Sequence, residues 1–95
     1  MSNLPSFEQQ LEKYGIDPRD VPQPGEKYDH YKGGKYEIIM NTLCSETLEP
    51  RVIYKSLIYP GVPWNRPLTV FLSKQSNGDP RFVRVHDPKS FRGEF

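Results

Sequence analysis

From Gly25 onward the chain is a succession of short β-forming runs cut apart by turn residues, and no other feature restricts its fold as much. Residues 36–43 are rich in β-formers, 52–59 alternate less cleanly, 68–74 follow a stop at Pro67, and 81–85 follow Asn77-Gly78-Asp79-Pro80. Residues 28–31 add a short first strand, joined to the second through Lys32-Gly33-Gly34-Lys35. Asn77-Gly78 is the strongest local hairpin signal, because a type I′ turn needs positive φ at both central positions. Five short strands in about sixty residues predict a mainly β fold, a small five-stranded antiparallel SH3-like barrel, since a flat sheet of this size would expose two edges and an apolar face.

Ahead of the strands, Ser6-Phe7-Glu8-Gln9 reads as a capping box: the Ser6 hydroxyl takes an amide of the first turn and Gln9 reaches back to the Ser6 amide. Phe7, Leu11 and Tyr14 then share one helical face, and Gly15 supplies the left-handed residue that ends the helix. Both parities of residues 52–59 are partly apolar, so the short helix is expected to cover the barrel's outer face. The organisation is then a capped helix with a Pro-rich connector over 1–25, a barrel over 26–86, and a tail over 87–95. In that tail Asp87-Pro88 can open one helical turn and Phe91 can dock.

Composition narrows the function. Thirteen basic against twelve acidic residues leave a net charge of +1, too little for a protein that holds a duplex by neutralising many phosphates. Residues 26–75 carry seven basic and five acidic side chains, a mild excess that suits a small anion. A mean hydropathy of -0.75 with ten prolines and seven glycines fits a loop-rich body, and twelve aromatics compensate for the low apolar fraction. One cysteine, Cys44, excludes an internal disulfide, and the N-terminus lacks a signal-like apolar run, so the expectation is a cytoplasmic protein with no membrane span.

The order His30-Tyr31-Lys32-Gly33, Ser45-Glu46-Thr47, Val52-Ile53-Tyr54 and Trp64-Asn65-Arg66-Pro67-Leu68 with Phe71 resembles a family of small bacterial proteins, the domain-of-unknown-function family 1653. The resemblance covers residues 28–82 and implies a compact binding domain with no assigned activity. Where the family pattern places a histidine before Ser-Glu-Thr, this chain has Cys44, which removes an acid–base group from that position.

In an up-and-down meander successive turns fall at opposite ends. Residues 32–35 and 60–67 should therefore share one end, and 44–51 and 76–80 the other, roughly 15–20 Å away. That separates Cys44 and Ser45, the candidate nucleophiles of a small hydrolase, from His30, and a thiol or hydroxyl needs a base within hydrogen-bond reach. Cys44 also lacks an evident cation to lower its pKa. Two isolated histidines and one cysteine supply no metal site, and Gly33-Gly34 lacks the following helix of a phosphate loop, so no cofactor is expected.

The other end gathers aromatic and basic residues: His30, Tyr31, Lys32, Tyr36, Tyr54, Trp64 and Arg66. Trp64, stiffened by Pro63 and Pro67, either plugs the barrel mouth or serves as a stacking platform. Arg66 either pairs with Glu37 or Glu46 or grips an anion. The function expected is a non-enzymatic binding module for a partner protein segment or a small anionic aromatic ligand of nucleotide type. Weak single-stranded nucleic-acid binding through the same aromatics is the first rival.

Overall fold

The computed structural model describes residues 4–85; His86, the helical turn expected at Asp87-Pro88 and the docking of Phe91 lie outside the described residues. Helix α1 (Phe7–Lys13) starts at Ser6, whose hydroxyl accepts the Gln9 amide at 3.1 Å while the Gln9 side chain accepts the Ser6 amide at 2.8 Å. It ends in a Schellman motif. Gly15 takes φ 70°, the Ile16 amide donates to Leu11 O at 2.9 Å and the Gly15 amide to Glu12 O at 3.1 Å. The connector carries a 3-10 turn over Pro18–Asp20, capped by Asp17.

Strands β1 (Lys27–His30), β2 (Lys35–Leu43), β3 (Pro50–Ser56) and β4 (Trp64–Pro67) make an antiparallel meander, and β5 (Phe82–Arg84) returns to pair with β1. The fold is mainly β, a single antiparallel sheet of order β4-β3-β2-β1-β5. Its edges β4 and β5 do not pair, so the closed barrel expected from the sequence is not formed. Across the gap the two edges approach through side chains, Arg66 of β4 toward the Phe82 ring of β5, and Pro67 has no amide to donate to a closing ladder.

The sheet nevertheless curls. In a flat sheet β4 and β5 would lie four strand spacings apart, roughly 19 Å, yet the Arg66 guanidinium of β4 sits 6.0 Å from the Phe82 ring of β5. The inner, concave face is the parity Tyr28, Ile38, Val52, Tyr54 and Phe82, all buried. A bulge between Ile38 and Met40 shifts the β2 register, so that Asn41, paired with Val52, follows Ile38 on this side.

Two expectations about elements need correction. Residues 68–74 are not a strand: the fourth strand is Trp64–Pro67, and Leu68–Phe71 form one helical turn, α2. Leu68 and Phe71, three apart, are both buried to 1% exposure or less; helical spacing puts both on the sheet, whereas a strand would have turned one outward. The turn at Asn77-Gly78 is not type I′ either. Gly78 has φ 94°, while Asn77 is not in the left-handed region. The Gly78 amide donates to Gln75 O at 2.9 Å and the Gln75 amide to Asp79 O at 2.7 Å, which is a three-residue loop ending in a left-handed glycine.

Helix α1 also covers a different face from the one expected. Leu11 joins the buried cluster of Tyr28, Ile38, Val52, Tyr54, Leu68, Phe71 and Phe82, with Phe7 and Tyr14 packed against it, so α1 and α2 cover the same inner face. The connector's Ile16 and Val21 enter this core too. On the other face Met40 and Val83 stay about half exposed. Phe71 is the centre of the packing, stacked on Phe82 at 4.1 Å and edge-on to Tyr28 at 5.3 Å and Tyr54 at 5.5 Å.

Candidate ligand-binding site

The β1–β2 turn is built on glycine. The His30 amide donates to Gly34 O at 2.7 Å, the Gly33 amide to His30 O at 2.8 Å, and Gly33 takes φ 102°. Gly34 matters differently: a Cβ there would lie 2.6 Å from the Tyr36 ring, so any other residue would push this ring from its place.

The turn brings His30 against three rings. Its imidazole lies 4.7 Å from Tyr31, 4.7 Å from Phe82 and 6.5 Å from Tyr36. Tyr36 and Tyr54 meet edge-on at 5.3 Å, and each is 5.8 Å from Phe82. On β4, Trp64 stands opposite Tyr54 and Arg66 opposite Val52, and directly paired residues share a face. Both therefore point to the concave side, at the sheet's rim. Trp64 is 57% exposed, so it is no plug.

Arg66 is fixed through Nε, which donates to the Tyr54 hydroxyl at 2.8 Å. It pairs with neither Glu37 nor Glu46: Glu37 lies 4.0 Å from Lys27, and no carboxylate among the described residues reaches Arg66. Two more cations flank Tyr31, Lys32 Nζ at 5.6 Å and the Arg81 guanidinium at 5.9 Å from the ring centre; neither has a carboxylate partner among the described residues. The electrostatic result is legible at His30. Burial first, then the positive charges of Arg66, Lys32 and Arg81, hold its pKa below the ordinary 6.5. Its Nδ1 accepts the Lys32 amide at 3.1 Å, so the neutral ring carries its proton on Nε2.

Six of the seven expected residues thus form one linked set: His30, Tyr31, Lys32, Tyr36, Tyr54 and Arg66 connect through rings and hydrogen bonds, and Trp64 adjoins them across the β3–β4 ladder. Tyr54 is buried and supports the set from beneath. Arg81 and Phe82 are additions that the sequence did not reveal. The expected position of residues 76–80 at the Cys44 end is corrected: α2 ends the meander after β4, and β5 starts beside the β1–β2 turn, with the Tyr31 amide on Arg81 O at 3.0 Å. The β1–β5 pairing joins residues about fifty apart, beyond any local pattern.

The opposite end carries the β2–β3 turn. Cys44 has a lowered pKa, chiefly from the Thr47 hydroxyl, then from the Thr47 and Glu46 amides; the cation that the sequence did not make evident is Arg51, whose Coulombic pull is the smaller contribution. Yet seven β2 positions separate Tyr36 from Leu43, roughly 23 Å of strand, so His30 cannot serve Cys44 or Ser45 as a base. Among the described residues no three His, Cys, Asp or Glu side chains gather as a metal site, and no helix is long and apolar enough to cross a membrane.

Comparison with known proteins agrees with this architecture. No curated protein matches the chain. A crystal structure of a DUF1653 protein from Bordetella bronchiseptica superposes with a TM-score of 0.60 at 27% identity, covering 73% of this chain and 92% of the other. The family model described as protein of unknown function (DUF1653) matches residues 26–84, from the start of the sheet to the end of β5. By this match over more than half its length, the chain belongs to the DUF1653 family.

Proposed function

We propose that this protein is a non-enzymatic binding module that takes an anionic ligand bearing a planar or apolar group at the concave rim formed by His30, Tyr31, Lys32, Tyr36, Trp64 and Arg66, with Arg81 completing it. One observation carries the reading. Three cations without carboxylate partners among the described residues surround a partly desolvated imidazole, beside an exposed indole on the same face. Gathering like charges costs energy that an anion recovers on binding. The strand order, with a helical turn between β4 and β5 and the curl that brings Arg66 to Phe82, supports an SH3-like description of the scaffold. The single cysteine supports a cytoplasmic setting.

A partner protein segment is the second reading, and the β3–β4 connection favours it. Tyr59 is 78% exposed and Val62 77%, next to Trp64, so the basic rim continues into an apolar one. A thermal-shift screen of the full chain against mononucleotides, short single-stranded oligonucleotides and acidic peptides tests the module reading, because a ligand that binds only the native state raises its melting temperature. A hit that disappears in both Trp64→Ala and Arg66→Gln supports it. Hits indifferent to both substitutions would place binding elsewhere.

A further inference from the structure

The chemistry of the rim specifies its ligand further than the word anion. Arg66 is pre-organised: with Nε committed to the Tyr54 hydroxyl, only the two terminal nitrogens are left to grip a partner, as a fork at the end of a fixed arm. His30 adds a neutral N–H donor on Nε2, since the Lys32 amide occupies Nδ1, and no described residue accepts from that nitrogen. Lys32 and Arg81 approach from the Tyr31 side. The donors thus arrive from three elements: β4, the β1–β2 turn and the segment leading into β5.

A carboxylate presents two oxygens in one plane and a single negative charge, which leaves most of these donors and two of the three cations unanswered. A terminal phosphoryl group presents three oxygens in a tetrahedral spread and a charge near -2 at neutral pH. A phosphodiester falls short as well, with one charge and two free oxygens. Along β4, Trp64 and Arg66 are two positions apart on one face, roughly 7 Å, a span that one sugar bridges between a phosphoryl group and a planar base.

Resting on the reading of this rim as a ligand site, we propose that it binds a phosphomonoester carried by a planar ring, of the nucleoside monophosphate class: Arg66, Arg81, Lys32 and His30 Nε2 take the phosphoryl oxygens, and Trp64 stacks on the base. Tyr54 acts beneath the site as a positioning residue for Arg66.

Calorimetric titration of the full chain with adenosine 5′-monophosphate, adenosine, ribose 5-phosphate, an acidic peptide and a single-stranded oligonucleotide without terminal phosphates tests the proposal. Adenosine 5′-monophosphate is expected to bind at least tenfold more tightly than adenosine or ribose 5-phosphate. Arg66→Gln and Arg81→Gln should each weaken it at least tenfold, and Trp64→Ala should reduce it to the level of ribose 5-phosphate. Tyr54→Phe, which keeps the ring but frees Arg66, should weaken the monophosphate while leaving adenosine unchanged. Peptide or oligonucleotide binding that depends on Trp64 and Arg66, with no response to the monophosphate, overturns the phosphomonoester and leaves the site standing. Absence of any ligand response that depends on Trp64 or Arg66 overturns both.

Discussion

Trp64 and His30 show how much a single position can carry without supporting the fold. Because Trp64 is more than half exposed on an edge strand, Trp64→Ala should cost little stability, on the order of 0.5 kcal/mol as for surface changes generally, against about 3–5 kcal/mol for a buried aromatic. A melting temperature within two or three degrees of the parent protein, measured by calorimetry, is the expected result. At His30 the sign of the pH effect follows from its lowered pKa. Well above the ordinary value of 6.5 the ring is neutral in both native and unfolded chains; as the pH falls, the unfolded chain takes up a proton that the native ring resists, because of burial and the charges of Arg66, Lys32 and Arg81. Stability therefore declines from pH 7 toward pH 5, and His30→Asn, which cannot titrate, should flatten that part of the denaturation profile.

At the scale of elements, the β2–β3 turn depends on α1. Leu48 holds φ 62°, a conformation that costs a non-glycine residue roughly 1–2 kcal/mol, and its carbonyl accepts from the buried Gln10 side chain at 2.8 Å. Gln10→Ala removes that donor from a part-buried carbonyl, so urea denaturation should show a loss of about 1–3 kcal/mol. The capping box, the Schellman ending and the glycine turn at Gly33-Gly34 were all readable beforehand, because each is settled by residues within five positions of one another. Leu68–Phe71 was misread for the opposite reason. Thr69, Val70 and Phe71 are β-formers by preference, and helix α2 wins only because the helical spacing of Leu68 and Phe71 buries both against Tyr28, Tyr54 and Phe82, a gain that local preference does not contain. Strand β3 stops early by a local device, the Ser56 hydroxyl accepting the Ile58 and Tyr59 amides at 3.1 and 2.9 Å.

For the whole molecule, the family region and the buried core differ in extent. The DUF1653 match begins at residue 26, yet Leu11, Ile16 and Val21, three of the ten buried apolar residues among the described residues, precede it. A fragment starting at Glu26 would remove Leu11, Ile16 and Val21 from the buried cluster they share with Val52, Leu68 and Phe71. Burial of side chains of this size is worth about 1.5–3 kcal/mol each, and a small domain has only about 5–15 kcal/mol to lose. The fragment should therefore lack a cooperative thermal transition and the dispersed amide spectrum of the full chain.

Sequence alone determined the β class, the capped helix and the glycine turn, because capping, turn chemistry and strand parity act over a few neighbouring residues. Tertiary structure decided the rest: that residues 68–71 coil rather than extend, that the edges curl together without pairing, and that Arg81 and Phe82 join His30 from the far side of the chain. Those outcomes depend on which surfaces bury each other across about fifty residues, and the free energy that selects them exists only once the sheet and its two helices are in contact.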